Sequence, residues 1–228
     1  MNYFVTGTDT GVGKTLVSCA LLHAFAAHDQ RVVGMKPVSV GCDDDDHNED
    51  AKQLRAASNV LASYGQINPY SFYHPIAPHI AAKNVGVSID FTRILTSFRE
   101  LTTQADVVIV EGIGGFKVPL NEKQDGGELA QQLELPVILV VGMRLGCLNH
   151  ALLTADAIAA SGLRLAGWVA NVLDADMPAL HDNIAALKQR LNAPLLGVIK
   201  YQSLPDARMA ATQLNVGLLK NNEPEDDV

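Results

Sequence analysis

The sequence predicts an α/β fold in a single domain, with a mostly parallel sheet covered by helices on both faces. Two observations carry this expectation. Six short apolar runs, at 3–6, 32–36, 107–111, 137–142, 165–170 and 195–199, read as strands buried on both faces. Between them, segments 14–28, 147–161 and 176–191 hold apolar residues at helical spacing, as in Leu16, Ala20 and Ala24 beside Val17, Leu21 and Phe25. Strands alternating with helices close into a parallel sheet with helices on each face, and ligands bind beyond the carboxyl ends of such strands.

With 228 residues, 48% of them hydrophobic, the chain is long enough for one core-bearing domain and short for two. That domain is expected over 1–220, followed by an acidic, disordered tail at 221–228. Two stretches break the rhythm: 37–49, a polar loop containing Asp43-Asp44-Asp45-Asp46, and 64–90, with Pro69, Pro75, Pro78 and little strand pattern. A net charge of −8 and a pI near 5.3 exclude a general nucleic-acid binder, which needs a basic face. The cysteines Cys19, Cys42 and Cys147 are odd in number and widely spaced, so neither a disulfide framework nor a zinc site is expected. The first residues carry no basic signal-like region, and the longest apolar stretch, 135–143, contains Pro136 and is too short for a bilayer. A cytoplasmic protein without membrane contact is expected.

Directly after the first run comes Gly7-Thr8-Asp9-Thr10-Gly11-Val12-Gly13-Lys14-Thr15, and an amphipathic segment begins at Leu16. This is a phosphate-binding loop in its proper setting, and it makes the fold class P-loop NTPase-like. Glycines let successive N–H groups point at phosphate, the helix N-terminus adds partial positive charge, the lysine reaches the β- and γ-phosphates, and the threonine ligates Mg²⁺. The first glycine, Gly7, stands one residue earlier than in the common form, where Thr8 is found.

The third run ends Val110-Glu111-Gly112-Ile113-Gly114-Gly115. A carboxylate at a strand end beside a P-loop can hold Mg²⁺ or its waters, and the glycines permit close backbone approach to phosphate. Glu111 is therefore a metal candidate. Lys36, at the end of the second run, either faces the same crevice or is a solvated strand-end lysine. Asp50 begins a helix-like segment, and periodicity alone does not select it over Asp43 to Asp46.

In chain order the sequence reads Gly7-Thr8-Asp9-Thr10-x-Val12-Gly13-Lys14-Thr15, Lys36-Pro37-Val38, Asn48-x-Asp50-Ala51, Asn68-Pro69-Tyr70, Pro78-His79 and Val110-Glu111-Gly112-x-Gly114-Gly115. It continues with Leu135-Pro136-Val137, Gly146-Cys147-Leu148-Asn149-His150, Gly167-Trp168-Val169-Ala170-Asn171 and Ala193-Pro194-Leu195-Leu196-Gly197. This series, covering most of 3–200, resembles the dethiobiotin synthetase family. The resemblance implies a cytoplasmic ATP- and Mg²⁺-dependent ligase of biotin biosynthesis that closes 7,8-diaminononanoate with CO₂ to dethiobiotin. It implies catalytic roles for Lys14 and Lys36, a metal site of Thr15, Asp50 and Glu111, and phosphate contacts from Gly11, Val12, Gly13 and Leu16. Gly112, Ile113 and Gly114 would line the nucleotide, and Asn171, Val172, Lys200, Tyr201 and Gln202 the base. Lys36, Val40, Gly146, Cys147, Leu148 and Asn149 would bind substrate, the last four reaching the site of a neighbouring subunit in a homodimer.

The chain departs from the family pattern at Gly11, where many members have Glu, at Val40 for Ser, at Lys200 for Pro, and in lacking tyrosine over 172–190. Three rivals are weaker, one of them another ATP-dependent ligase or amidation enzyme of the same fold, which only the family motifs after Lys36 exclude. A partitioning-type ATPase carries a signature lysine where Asp9 stands. A GTP switch is suggested by Asn171-Val172-Leu173-Asp174, but the second-position lysine and a nearby Asp-x-x-Gly segment are missing.

Overall fold

The computed structural model describes residues 1–45 and 47–220, so the tail expected at 221–228 lies outside the described residues. The chain runs β1 (Asn2–Gly7), α1 (Lys14–Ala26), β2 (Val32–Met35), β3 (Val38–Val40), α2 (Glu49–Ala57), α3 (Tyr64–Ile67), β4 (Tyr70–Phe72), α4 (Pro78–Asn84) and α5 (Phe91–Gln104). It continues through β5 (Val107–Gly115), α6 (Gly126–Gln132), β6 (Val137–Met143), α7 (Cys147–Ala160), β7 (Leu165–Val172), α8 (Leu180–Arg190), β8 (Leu195–Ile199), α9 (Ala207–Ala211) and α10 (Gly217–Lys220).

Six of the strands form one parallel sheet in the order β2-β5-β1-β6-β7-β8. Every residue of β6 is buried, which is why its sequence reads as an unbroken apolar run with no alternation. Neighbouring residues of β1 still face opposite sides. Phe4 joins Val108, Val110 and Met35 under Phe91, Ile94 and Leu101 of α5, whereas Val5 joins Ile109 and Val140 under Val17, Leu21 and Phe25 of α1. Beyond β6, Leu139, Val141 and Trp168 pack against Cys147 and Ala151 of α7 and against Ile184 and Leu187 of α8. Each fully buried aliphatic side chain contributes about 1.5–3 kcal/mol, so these clusters hold the sheet and its helices as one body.

The layout positions the site. From β1 the sheet extends one way through β5 to β2 and the other way to β6, so the carboxyl ends of β5, β1 and β6 surround a single crevice.

The sequence reading needs correction in four places. The stretches 37–49 and 64–90 contribute a parallel pair, β3 with β4, registered Val38↔Tyr70, Ser39↔Ser71 and Val40↔Phe72. Three-residue strands are too short for alternation to register, and their partners lie far apart in the chain. The second strand stops at Met35, because the Lys36 N–H turns out of the ladder to the Ile67 carbonyl at 2.7 Å. The strand carrying Glu111 continues to Gly115. The helix expected from 176 starts only at Leu180, after Ala179 adopts a left-handed φ of 52°.

Candidate functional site

The loop between β1 and α1 turns on two glycines with positive φ, Gly11 at 73° and Gly13 at 88°. Gly13 is also hemmed in. A Cβ there would lie 2.2 Å from Asn171 Nδ2, so only glycine admits the Asn171 side chain at this point. That amide donates to the Val12 carbonyl at 2.9 Å from the end of β7, and the carbonyl acceptor fixes which way the amide points.

Lys14 opens α1 and is buried, its Nζ donating to the Asp9 carbonyl at 2.9 Å. Burial and the neighbouring Lys36 charge push its pKa down to about 8. Thr15 donates its hydroxyl to Glu111 Oε1 at 2.9 Å.

Lys36 is 2% exposed, which rules out the solvated strand-end alternative. Its Nζ lies 2.6 Å from Glu111 Oε1, 2.9 Å from Asp50 Oδ2 and 3.2 Å from the Gly112 carbonyl. Burial opposes this charge, but Glu111 and Asp50 outweigh it and hold the ammonium above the ordinary lysine range. Burial would raise the Asp50 carboxyl, yet the Lys36 charge and the Thr15 and Lys36 hydrogen bonds keep it below its usual value. The structure thus selects Asp50 from the acidic residues around it. Asp43 instead pairs with Lys52 and accepts from the His47 and Asp45 N–H groups, so it is an anchored loop residue and not a merely solvated one.

Glu111 Oε2 is buried and has no hydrogen-bond partner among the described residues. Leaving a carboxylate oxygen in that state costs on the order of 1–3 kcal/mol, and a hard cation is a natural partner for it. With the Thr15 hydroxyl and the half-buried Asp50 carboxylate beside it, the oxygen set suits Mg²⁺. Among the described residues no group of three His, Cys, Asp or Glu could hold a metal. A cation here would take much of its shell from water and phosphate, as Mg²⁺ characteristically does.

The run Gly112, Ile113, Gly114 extends this edge, with Gly114 at φ 62°, where a Cβ would lie 2.8 Å from Val118 Cγ2 and 3.4 Å from the Thr10 hydroxyl. Across the sheet, Asn171 registers with Ile199, so Lys200, Tyr201 and Gln202 emerge beside Asn171 and the buried Val172. The backbone N–H of Lys200 donates to Gln213 Oε1, and Gln202 Oε1 accepts from the Asp206 N–H. Leu16 packs partly into the core under α1, and Val40 ends β3 with its carbonyl held by Asn48 Nδ2 at 3.0 Å.

Gly146, Cys147, Leu148 and Asn149 form the start of α7, Gly146 being the N-cap at φ 92°. They follow β6, on the opposite side of β1 from Lys36 and Glu111. Among the described residues no hydrogen bond or ion pair joins them to Lys36, Asp50 or Glu111. The segment meets the phosphate loop through Arg144, whose guanidinium pairs with Asp9 at 2.6 Å. Sequence reading missed this pair, since nothing local marks Arg144. It also missed the polar contacts of Asn48, Tyr64 and Asn68 behind Lys36, although Asn48 and Asn68 stand within quoted motifs.

A parallel sheet with a phosphate loop after its first strand and a lysine–carboxylate cluster beside it defines a P-loop NTPase. A family model described as an AAA domain matches residues 1–208. The solved structure of the cell division protein MinD from Aquifex aeolicus superposes with a TM-score of 0.58 at 12% identity, covering 96% of this chain and 95% of that one. The cell division protein FtsY from Thermotoga maritima gives 0.53 at 17% identity, over 96% and 68%. These distant likenesses concern the fold alone.

Sequence relatives are far nearer. The ATP-dependent dethiobiotin synthetase BioD of Nitrosospira multiformis is 55% identical over 214 residues, 94% of each chain. Those of Aromatoleum aromaticum and Ralstonia nicotianae are 52% and 51% identical, covering 94% and 95% of this chain and 96% of theirs. The chain belongs to the family of ATP-dependent dethiobiotin synthetases, which are ligases.

Proposed function

We propose that the protein closes 7,8-diaminononanoate with CO₂ into the cyclic urea of dethiobiotin, driven by ATP with Mg²⁺. The observation that carries this reading is the buried Lys36 ammonium between Asp50 and Glu111, beside Lys14 and Thr15 of the phosphate loop.

In this reading one substrate amine attacks CO₂ and loses a proton, giving an N-carbamate. A carbamate oxygen then attacks the γ-phosphorus of ATP, and ADP leaves. The second amine attacks the carbonyl carbon of the resulting carbamic–phosphoric anhydride, phosphate leaves, and the ring closes with loss of a proton. Phosphoryl transfer is catalysed mainly by positioning and charge neutralisation, and this site offers both. Lys14 leaves the Asp9 carbonyl for the β- and γ-phosphates, while the N–H groups of Gly11 to Leu16 cradle them. Lys36 neutralises charge where carbamate meets phosphate. Thr15, Asp50 and Glu111 would hold Mg²⁺, which supplies further neutralisation of the phosphate oxygens when bound.

Adenine would lie at the β7 and β8 ends between Val172 and the Lys200–Gln202 segment. With Nδ2 of Asn171 held by Val12, its Oδ1 is the atom that would accept from the adenine amino group. Val40 for Ser and the lack of tyrosine over 172–190 would give the diamine fewer hydroxyl contacts than the family pattern implies.

Within this reading the protein is a cytoplasmic homodimer of domains spanning 1–220, with each active site shared. Two features support sharing: 146–149 lies across the phosphate loop from its own Lys36, and Leu145 and Leu153 nearby are 99% and 60% exposed. The N-terminus of α7 would present N–H groups to the carboxylate of the partner's substrate. Among the described residues no helix is long and apolar enough to cross a membrane.

The test is phosphate release from ATP with and without diaminononanoate plus bicarbonate. Release should depend on both, because the phosphoryl acceptor is the carbamate. Equal release without the diamine would refute the synthetase reading.

A further inference from the structure

Behind the Lys36–Asp50–Glu111 cluster lies a polar network, buried at Asn48 and Asn68 and partly buried at Tyr64, that the proposed chemistry does not use. Asn68, 4% exposed, is bonded on both sides of its amide. Its Nδ2 donates to the Lys36 carbonyl at 2.7 Å and the Tyr70 carbonyl at 3.0 Å. Its Oδ1 accepts from Ser39 Oγ at 2.9 Å and from the Tyr64 hydroxyl at 3.2 Å. The Tyr64 hydroxyl in turn accepts from the backbone N–H of Asn48 at 2.7 Å. Asn48, 6% exposed, is the N-cap of α2: its Oδ1 accepts from the N–H groups of Asp50 at 3.0 Å and Ala51 at 3.4 Å, and its Nδ2 ties α2 to the Val40 carbonyl.

These contacts close a ring. It runs from the Lys36 carbonyl through Asn68, the Tyr64 hydroxyl and Asn48 to Asp50, and returns from the Asp50 carboxylate to Lys36 Nζ at 2.9 Å. Lys36 stands outside the main sheet ladder, its N–H held by Ile67 next to Asn68. Asp50 lies on α2, and its carboxylate is the direct polar tie from that short helix to Lys36 among the described residues. The relay ties the Lys36 backbone to the helix end bearing Asp50, beside the bond from Asn48 Nδ2 to the Val40 carbonyl of β3.

We propose that Tyr64, Asn68 and Asn48 are positioning residues that set the Asp50 carboxylate against Lys36 and Glu111, and so set the affinity of the site for the divalent cation that accompanies ATP. The inference rests on the functional reading of Lys36, Asp50 and Glu111 given above. Tyr64 is the most informative link, because its hydroxyl joins Asn68 on the Lys36 side to Asn48 on the α2 side, and phenylalanine keeps the ring.

The test measures binding of a fluorescent non-hydrolysable ATP analogue to the full chain at increasing Mg²⁺, with no diamine and no turnover. Wild-type protein should bind more tightly as Mg²⁺ rises. Tyr64→Phe removes two hydrogen bonds, to Asn68 and from Asn48, and should need about 3- to 10-fold more Mg²⁺ for the half-maximal effect, the range that the net worth of either bond spans, with affinity in the absence of Mg²⁺ unchanged. Thr103→Ala serves as the control, since it removes one exposed hydroxyl bond on α5 that is not part of the relay, and its Mg²⁺ midpoint should stay at the wild-type value. An unchanged midpoint in Tyr64→Phe, or an equal shift in Thr103→Ala, would overturn the positioning role while leaving the functional reading in place. Absence of any Mg²⁺ effect in the wild type would instead defeat the functional reading and the relay together.

Discussion

Lys14 is poised by its surroundings to respond to nucleotide. In the ligand-free fold its pKa is about 8, below the ordinary 10.5, because it is buried and faces Lys36. The sign follows from linkage. Below about pH 8 the group is charged both folded and unfolded, and between about 8 and 10.5 the folded chain gives up the proton first, so this residue adds stability as pH rises across that window. Bound phosphate reverses the preference by pairing the ammonium. Nucleotide binding at pH 8 should therefore take up roughly half a proton, and near pH 6 almost none. Calorimetry in buffers of different ionisation enthalpy measures this directly, and no uptake at pH 8 would contradict the pairing of a lowered Lys14 pKa with a phosphate contact. Lys36 differs, because its charge is already matched. Lys36→Met leaves Glu111 buried without its counter-charge, a change that costs about 3–5 kcal/mol and lowers the melting temperature by about 10 °C. ATP binding should survive while turnover falls, and Mg²⁺ with nucleotide should restore part of the lost stability. At this scale Lys14, Thr15 and Glu111 were legible in the sequence, since each occupies a strand end or loop with its own local signature. Asp50 was not, because several carboxylates surround it and only the fold brings one of them to Lys36.

Among the elements, α2 carries the sharpest contrast. Asp50 in its first turn faces Lys36, whereas Asp43 in the loop before it binds Lys52 on the helix itself and the His47 N–H. Asp50→Asn keeps the size and removes an anionic oxygen, so half-maximal activity should require several-fold more Mg²⁺. Asp43→Asn should leave that titration unchanged while modestly lowering the melting temperature, because what it loosens is the loop. Parallel Mg²⁺ titrations and melting curves would separate the two, and a shifted titration for Asp43→Asn would contradict the assignment. The six strands of the main sheet were readable because each carries an apolar run, which in β1, β2, β6 and β7 follows from burial on both faces, while the edge strand β8 is apolar though only partly buried. The β3–β4 pair was hidden, since Val38 to Val40 and Tyr70 to Phe72 are too short to show alternation and sit among prolines and polar residues. The relay behind Lys36 was hidden for a related reason: Asn48, Tyr64 and Asn68 acquire their meaning from partners on other elements.

For the whole molecule, the placement of 146–149 across the phosphate loop from Lys36 leads to the expectation of a shared site. Two inactive variants should complement each other: Lys14→Ala removes the phosphate contact, and Asn149→Asp sets a negative charge at the exposed start of α7. Asn149 is preferable to Leu148, which packs partly into the core beside Leu139 and Trp168. A mixed dimer then has one site with both defects and one with neither, so activity should return when subunits exchange. Heterodimers without activity would show that each site is built from one chain. The fold class was legible at this scale from strand–helix alternation, while the crevice became visible only with the strand order, which local sequence does not encode. The central claim, that ATP drives ring closure through a carbamate, is tested most directly by supplying ¹³C-bicarbonate, diaminononanoate and ATP and analysing the product by mass spectrometry. The account predicts dethiobiotin labelled at the ureido carbon, formed in step with ADP and absent without ATP. ATP consumption with no labelled cyclic urea would contradict it.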